Sequence, residues 1–566
     1  MTSYSHPGLY ISEVQGNRSI QGASTSIAAF VGVTATGYFE QVTMITSWNA
    51  YQTAFGGLAW YAMVPWSVFE FFIEGGAACY VVRASDTKGA TPASATAPLA
   101  LTAVTPGLWG NALCVSVSNG SATDSSVTPT PQTPVFTVTI YADASMLGLP
   151  LTSASSASGS STAATSPTLP NLLLQQFVLQ NTLTPVTISG KSYYMLEQYL
   201  GCTANNMDIH VADVPSLLAT RINNMSIFVR VPASASASVT KGVRPTNGGP
   251  TAFSGGTEPN YDLEAAINLL ETFPSVSLLS VPDTVTATDD SSKPSQLKQG
   301  TLINSGLQFC EKMSSLFYVV DPPFNLKPQD MLSFKSGNAA QGVANANKNA
   351  LNSEFGAIYY PWVYIYNALV DANVPIPPSG PVLGRYASTD NSVGVFKSPA
   401  GVRDGALQSV LLLGQTLSDS DQDQINDQGI NAIRNFVTYG NVIWGARTLS
   451  ADTQWKYVSV RRLFIYVEQS LKQSLQWVVF EPNDQKLWSA VTRDIGAFLT
   501  TLWQQGGLFG ATAHEAFFVA CDGSNNSPDT RQSGQLYIDI GLAPVFPAEF
   551  VILRFTQKTS APGSGT

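Results

Sequence analysis

Charge is what this sequence has least of. Asp, Glu, Lys and Arg together make up 12% of its 566 residues, about half of the roughly 25% usual in soluble domains. Acidic residues number 38 and basic ones 28, a formal net charge of −10. That balance, with no basic block anywhere, excludes a nucleic-acid binder held by phosphate contacts. Long apolar runs are missing too. The richest stretch, Phe55 to Val82, is interrupted by Gly57, Pro65, Glu70, Glu74 and Gly75, so it falls short of the roughly 18 apolar residues that a membrane-spanning helix needs. Met1 to Pro7 has neither a basic start nor an apolar core, so no secretory signal is expected. Histidine occurs three times, at 6, 210 and 514, which starves His-based catalysis and metal binding. The five cysteines, Cys79, Cys114, Cys202, Cys310 and Cys521, are odd in number and far apart. They read as buried free thiols in a reducing compartment, not as a disulfide framework or a zinc site.

What replaces charge is small and polar: Ser, Thr, Asn, Gln and Ala. A lone protein of this mass exposes about 19,000 Å² and usually covers much of it with Lys and Glu. Two readings stand at this point. Much of the surface is buried against other copies, or the chain is simply biased toward small polar residues. The length suggests about three to four domains.

Along the chain the grammar is mixed. Leu9-Tyr10-Ile11-Ser12-Glu13-Val14 is a short strand-like run between Pro7-Gly8 and Gly16-Asn17-Arg18, with no hairpin partner nearby. Residues 24–83 read as strand, helix, helix, strand. Ile27 to Val33 is a continuous apolar run, as in a strand buried on both faces. Ser47 opens a first helix, Pro65 suits the first turn of a second, and Cys79 to Val82 is the next strand. Residues 84–245 lose almost all charge and carry alternating strands such as Leu113 to Ser118 and Val135 to Tyr141; the Ser/Ala-rich run 152–168 is a loop. Helix and strand then alternate again: a helical face of Leu263, Ala266, Ile267 and Leu270, a strand from Val276 to Asp283, a helix over 296–315, and a strand from Phe317 to Asp321. Such spacing implies a parallel sheet with crossover helices. In the last third, Val460, Leu463, Phe464, Val467, Leu471 and Leu475 mark one helical stripe. Trp488, Val491, Ile495, Phe498, Leu499 and Leu502 mark another, with Asn483 or Asp484 as its cap. Strands are expected at Trp477 to Phe480, Glu515 to Ala520, Leu536 to Ile540 and Phe550 to Phe555. The tail, Ser560 to Thr566, is disordered by composition.

Chemical motifs are weak. His514-Glu515 begins like a zinc-protease motif, but Phe518 stands where the second His belongs. Gly190-Lys191-Ser192 ends like a phosphate loop, but Pro185 occupies the place of its first glycine. Asp283 and Asp321 end parallel strands, where α/β enzymes put catalytic groups, yet Pro flanks both and a turn or cap explains them equally. Trp444, Trp455, Trp477, Trp488 and Trp503 suit core packing better than a sugar-binding face. The positive signal is at the termini. A strand-like segment lies at each end outside any hairpin, able either to add to a neighbour's sheet edge or to pair within its own chain.

At this point a family resemblance emerges. Gly429 to Arg434, Val442 to Ser450 and Trp455 to Phe464 are similar to contractile tail sheath proteins. So are Val479-Phe480-Glu481-Pro482-Asn483-Asp484 with Leu487-Trp488, and Phe498-Leu499 with Leu502-Trp503 and Gly506 to Gly510. Glu515 to Val519 with Cys521-Asp522, and Ala543-Pro544 with Pro547 to Phe550, continue the likeness. Upstream, Pro7 to Val14, Phe30-Val31-Gly32 and Pro106 to Asn111 fit in the same order.

The resemblance implies an α/β fold, α+β overall: a subtilisin-like domain with an inserted β-sandwich, then a compact C-terminal α/β domain. It sets an N-terminal arm at 1–20, the subtilisin-like domain at 21–83 and 246–425, the β-rich insertion at 84–245, the C-terminal domain at 426–548, and an arm strand with tail at 549–566. It implies a structural subunit, not an enzyme, and no cofactor or metal. Copies would stack as hexameric rings around an inner tube and contract to drive that tube through a target envelope. The arms, Leu9, Tyr10, Ile11, Ser12, Glu13 and Val14 with Phe550, Val551, Ile552, Leu553, Arg554 and Phe555, would complete sheets in neighbouring copies. Arg461, Arg462, Lys472, Lys486 and Arg493 are the candidates to face the tube. Partners would be the chain itself, the inner tube protein, baseplate proteins and a terminator or cap, with no nucleic acid bound directly and no membrane insertion. The place would be a virion tail or tail-like particle, assembled in the bacterial cytoplasm. Rival readings are another phage-like shell or a subtilisin-fold hydrolase.

Overall fold

The computed structural model describes the chain except residues 1–19, 36, 40, 60–61, 88, 105, 107, 124–131, 148–182, 203–221, 224–225, 227, 233–246, 258–259, 288–294, 338–349, 368–371, 551 and 553–566. The chain forms two compact units. The larger takes Ser24–Ser392 and Pro399–Lys456; the smaller takes Met1–Ala23, Val393–Ser398 and Tyr457–Thr566.

The larger unit is built on an eight-stranded sheet. In chain order its strands are β1 (Ala28–Gly32), β2 (Val42–Ile45), β3 (Cys79–Arg83), β4 (Leu278–Ser280), β5 (Phe317–Val320), β6 (Gly356–Tyr360), β7 (Ile430–Phe436) and β8 (Gly440–Ile443). Their spatial order is β8-β7-β6-β5-β4-β1-β3-β2. The six central strands are parallel, and β2 and β8 close the edges antiparallel. All residues of β1, β5 and β6 are buried. This is why those segments read as unbroken apolar runs: helices cover both faces, so no side chain alternates into water.

Three helices show how the faces are covered: α1 (Val64–Ile73), α2 (Gln296–Met313) and α3 (Ser379–Ser392). Phe317 lies against Tyr386 of α3, ring centroids 6.4 Å apart. The next residue, Tyr318, lies so close over Gly306 of α2 that a Cβ there would stand 2.8 Å from its ring. Neighbours on a strand point to opposite faces, so α2 and α3 cover opposite sides of the sheet. α1 and α3 meet almost backbone to backbone. A Cβ on Gly380 would stand 2.5 Å from the Ser67 Cα, and one on Gly384 would stand 2.8 Å from the Phe71 carbonyl oxygen.

Two further sheets lie between β3 and β4 in sequence, within and just beyond 84–245. A three-stranded sheet (Ser94–Ala95, Leu101–Ala103, Val229–Arg230) and a five-stranded one (Leu113–Thr123, Gln132–Asp143, Val186–Ile188, Lys191–Cys202, Gly248–Ala252) share a single apolar core around Trp109, Leu113, Ile140 and Phe228. Asn111 closes its base, donating to the Gly256 carbonyl at 3.1 Å and accepting the Gly256 N–H at 3.0 Å. Cys79, Cys114, Cys310 and Cys521 are buried free thiols.

Two expectations need correction. The C-terminal domain begins at Tyr457, not at 426, because residues 430–436 hydrogen-bond to β6 as the seventh strand of the large sheet. Val276 to Asp283 is only a three-residue strand; Pro282 starts a 3-10 turn over Pro282–Thr286.

Candidate functional site

The smaller unit holds most of the residues singled out above. Its frame is α4 (Val458–Ser474) and α5 (Gln485–Gln504). The two apolar stripes meet there: Leu463, Val467 and Leu471 with Trp488, Val491, Ile495, Leu499 and Leu502 form one core. Asp484 caps α5, its Oδ1 accepting the Lys486 and Leu487 N–H groups at 2.9 Å each. The neighbouring Asn483 takes the Trp488 indole N–H at 2.8 Å, so both residues of the expected pair are used. Trp477 and Trp503 pack against the same core, in line with a packing role for these tryptophans.

Beside α5 lie β9 (Phe517–Ala520) and β10 (Asp539–Leu542), antiparallel from Phe517 opposite Leu542 to Ala520 opposite Asp539. Phe517, Val519, Ile540 and Leu542 face the core, while Phe518 is 56% exposed. Among the described residues this sheet has two strands, and a two-stranded ribbon is marginal by itself. At one end the ladder is extended: Phe509 N–H donates to the Ala543 carbonyl at 2.8 Å and Ala543 N–H to the Ala516 carbonyl at 2.9 Å. The expected strand at 515–520 begins at Phe517, since Ala513–Ala516 is a helical turn that carries His514. The expected strand at 536–540 lies later, at Asp539–Leu542.

Both chain ends belong to this unit. After β10 the chain passes Tyr457, whose ring meets Phe546 and whose hydroxyl donates to Glu549 Oε2 at 3.1 Å. Of the expected C-terminal arm, Phe550 and Ile552 are described and stand 71% and 78% exposed; Val551, Leu553, Arg554 and Phe555 lie outside the described residues, as do Leu9 to Val14. At the other end, Gln21 and Ala23 are tied to α4 by hydrogen bonds to Ser474 and Ser470.

The five candidate cations separate into two groups. Lys472, Lys486 and Arg493 are exposed, although Arg493 also pairs with Asp494 Oδ1 at 2.9 Å. Arg461 and Arg462 are not surface groups: they are 5% and 3% exposed. Arg461 turns along α4 to Glu468, 3.2 Å away. Burial pushes the Glu468 carboxyl up, and the Arg461 guanidinium partly opposes that rise. No count of basic residues separates these two from the others; their burial in the fold does.

Trp477 to Phe480 is not a strand. Gln476–Val478 is a 3-10 turn, and Phe480 has a left-handed backbone, φ +71°, with its ring wholly in solvent.

The two carboxylates at the strand ends in the larger unit are also accounted for. Asp283 accepts the Val33 and Met63 N–H groups at 2.7 Å each, at the start of α1. Asp321 Oδ1 accepts the Ser379 N–H at 2.9 Å, at the start of α3. Burial pushes each carboxyl up to about 7. Both follow parallel strands, where α/β enzymes place catalytic groups, and each accepts a backbone N–H at the start of a helix. Among the described residues no cluster of three or more His, Cys, Asp or Glu is arranged to hold a metal, and no helix is long and apolar enough to cross a membrane.

Comparison with known proteins agrees with this geometry. Residues 450–558 match the family described as phage tail sheath C-terminal domain. The tail sheath protein of Vibrio phage KVP40 is 26% identical over 220 residues, 39% of this chain and 32% of that protein. The tail sheath protein of Salmonella phage ViI is 26% identical over 195 residues, 34% of this chain and 30% of that protein. The chain thus spans about a third of the length of these curated relatives. Among solved structures, a sheath complex of an extracellular contractile injection system, PVC, in its contracted state covers 99% of both chains at 23% identity with a TM-score of 0.53. At that identity the likeness is one of fold.

Proposed function

We propose that this chain, a relative of the contractile tail sheath proteins, is a structural subunit of such a sheath. Copies stack as hexameric rings around an inner tube. They contract together and drive that tube through a target envelope, using energy stored in a metastable extended packing. The reading takes the larger unit as a subtilisin-like domain with a β-sandwich insertion. A parallel sheet wound on both faces and two sheets sharing one inserted core support it.

The observation that carries the proposal is the two-stranded β9–β10 sheet, packed on one side with Phe518 exposed on the other, in the unit to which both chain ends belong. Sheets of that size gain stability from further strands. Leu9 to Val14 and Phe550 to Phe555 of neighbouring copies supply them by edge addition. Backbone hydrogen bonds then link all copies, and the mesh persists while the units turn. Lys472, Lys486 and Arg493 are the members of the cationic set on open faces, and they are offered to the inner tube. Baseplate and terminator or cap proteins close the two ends, in a virion tail or tail-like particle assembled in the bacterial cytoplasm. The role is structural, not enzymatic: the carboxylates placed like catalytic groups hold helices instead.

Paired cysteines test the arm exchange. Ile11→Cys combined with Phe518→Cys should give a ladder of covalent multimers on mild oxidation, with none from either single variant. A doubly substituted chain that closes only on itself, as a monomer, contradicts the proposal.

A further inference from the structure

Glu70 and Glu74 lie one turn apart at the end of α1, and each is 1% exposed. Side chains at that spacing are neighbours on a helix, and like charges there repel. α3 presses on the second of them: a Cβ on Gly384 would stand 2.6 Å from the Glu74 Cβ. Residues 408 and 409 grip its carboxylate. Glu74 Oε1 accepts the Gln408 and Ser409 N–H groups at 2.7 and 2.9 Å and the Ser409 hydroxyl at 2.7 Å. The Oε2 atoms of Glu70 and Glu74 are both buried with no hydrogen-bond partner among the described residues.

Two neighbouring carboxylates out of reach of water cannot both ionise cheaply. Glu74, with three donors on one oxygen, suits the charged form. Burial pushes the Glu70 carboxyl up to about 7; the Ser409 hydroxyl opposes that rise and the Glu74 charge adds to it. The other charged residues on the elements around α1 are placed elsewhere. Arg385 of α3 donates to the Asp404 carbonyl at 3.1 Å, and Arg403 lies 3.9 Å from the Asp404 carboxylate. Asp390 follows Arg385 by more than a turn of α3, and Asp283 takes the Met63 N–H at the opposite end of α1.

The gripped residues belong to a strap along the large sheet. Leu407 N–H donates to the Asn441 carbonyl at 2.9 Å and Ile443 N–H to the Gly405 carbonyl at 2.8 Å. Asn441 Nδ2 donates to the Val410 carbonyl at 2.7 Å. Residues 405–410 thus cover the outer edge of β8, and a bare sheet edge invites pairing with another chain. We propose that Glu70 and Glu74 hold one proton between them, the Glu70 O–H donating to the Glu74 carboxylate, and that this proton keeps the strap closed over β8. When Glu70 ionises, the two charges are relieved by letting water in, which releases Gln408 and Ser409. The device works within one folded chain, whether or not copies assemble.

Amide exchange at Leu407, Gln408 and Ser409, corrected for its intrinsic dependence on pH, reads the strap. Open, Glu70 releases its proton at the ordinary value of 4.5; closed, it keeps the proton to about 7. The opening equilibrium should therefore rise about tenfold between pH 6 and pH 8 and level off above that. Glu70→Gln keeps the shape and a donor for Glu74, so the rise should vanish and the strap should stay closed at pH 8. Ser409→Ala removes a group that favours the ionised Glu70, so the midpoint should move up. Glu74→Gln should loosen the strap at pH 6 as well, because a neutral oxygen holds the two N–H groups less tightly. Exchange that does not change between pH 6 and pH 8, or that changes equally in Glu70→Gln, overturns the proposal. So does a midpoint that moves with the concentration of Na⁺ or Ca²⁺ at fixed ionic strength, which would put a metal ion between the carboxylates.

Discussion

Ser470 Oγ donates to the Tyr466 carbonyl at 2.6 Å and at the same time accepts the backbone N–H of Ala23 at 2.9 Å. One buried hydroxyl thus ties the root of the N-terminal segment to the helix that organises the smaller unit. One turn later Ser474 Oγ accepts the Gln21 N–H at 3.1 Å and donates to the Gln21 carbonyl at 3.5 Å. A hydrogen bond of this kind contributes about 1 kcal/mol. Ser470→Ala should therefore speed amide exchange at Ala23 by about five- to tenfold, and Ser474→Ala should do so at Gln21. Exchange in α5 should stay at the wild-type rate. Equal acceleration throughout the unit would mean that the serines support the core and not the root.

The close approach of α1 and α3 makes a second prediction. Gly380→Ala places a methyl 2.5 Å from the Ser67 Cα. Backbone cannot swing aside as a side chain can, so the helices must part. Denaturant unfolding of the larger unit should show a loss of about 2–3 kcal/mol. Gly57→Ala, where a Cβ meets nothing within 4 Å, is the control and should stay within about 0.5 kcal/mol.

Asp321 predicts an unusual pH dependence. Burial raises its carboxyl from 3.8 to about 7. Between those values the folded state keeps a proton that the unfolded state has released. The group's stabilising contribution is whole below about pH 4 and is lost as pH rises through about 7. Asn keeps the acceptor for the Ser379 N–H and carries no charge. Asp321→Asn should exceed the wild type in stability at pH 8, on the order of 4 kcal/mol, and the gap should close as pH falls toward 4. A gap that does not change with pH contradicts the shift.

The cationic set should divide in its behaviour as it does in its burial. Arg461→Ala removes one partner of a half-buried ion pair and leaves a hole in α4. It should cost the smaller unit about 2–4 kcal/mol in thermal or denaturant unfolding. Lys472→Ala and Lys486→Ala should leave stability within about 0.5 kcal/mol and weaken co-sedimentation with the inner tube. A stable Arg461→Ala protein with weakened tube binding would reverse this assignment.

Much of this was legible in the residues. The stripes of α4 and α5 announced themselves at helical spacing, because each helix buries one face only. β1, β3 and β5 were visible as short apolar runs beside glycines or acids. Three things were hidden. Trp477-Val478-Val479-Phe480 has the composition of a strand, but two of its apolar side chains are left in solvent, and no local pattern says so. Ile430 to Phe436 looked like the start of the last domain, yet its partner β6 lies far upstream; sheet order depends on long-range pairing that spacing does not encode. Arg461 looked like a surface charge because burial of its guanidinium goes with a partner seven residues away, Glu468, not with the arginine itself; Arg462 is buried as well, and no local pattern marks it. The strand-end acids were seen, and their use as helix caps was one of two readings that the flanking prolines left open.

Electron microscopy of the purified chain, intact and lacking residues 1–20, each alone and expressed with its inner tube and baseplate partners, tests the central claim most directly. The account predicts tubes of stacked rings from the intact chain and their loss in the truncated one. Monodisperse subunits from the intact chain even with those partners present would contradict it.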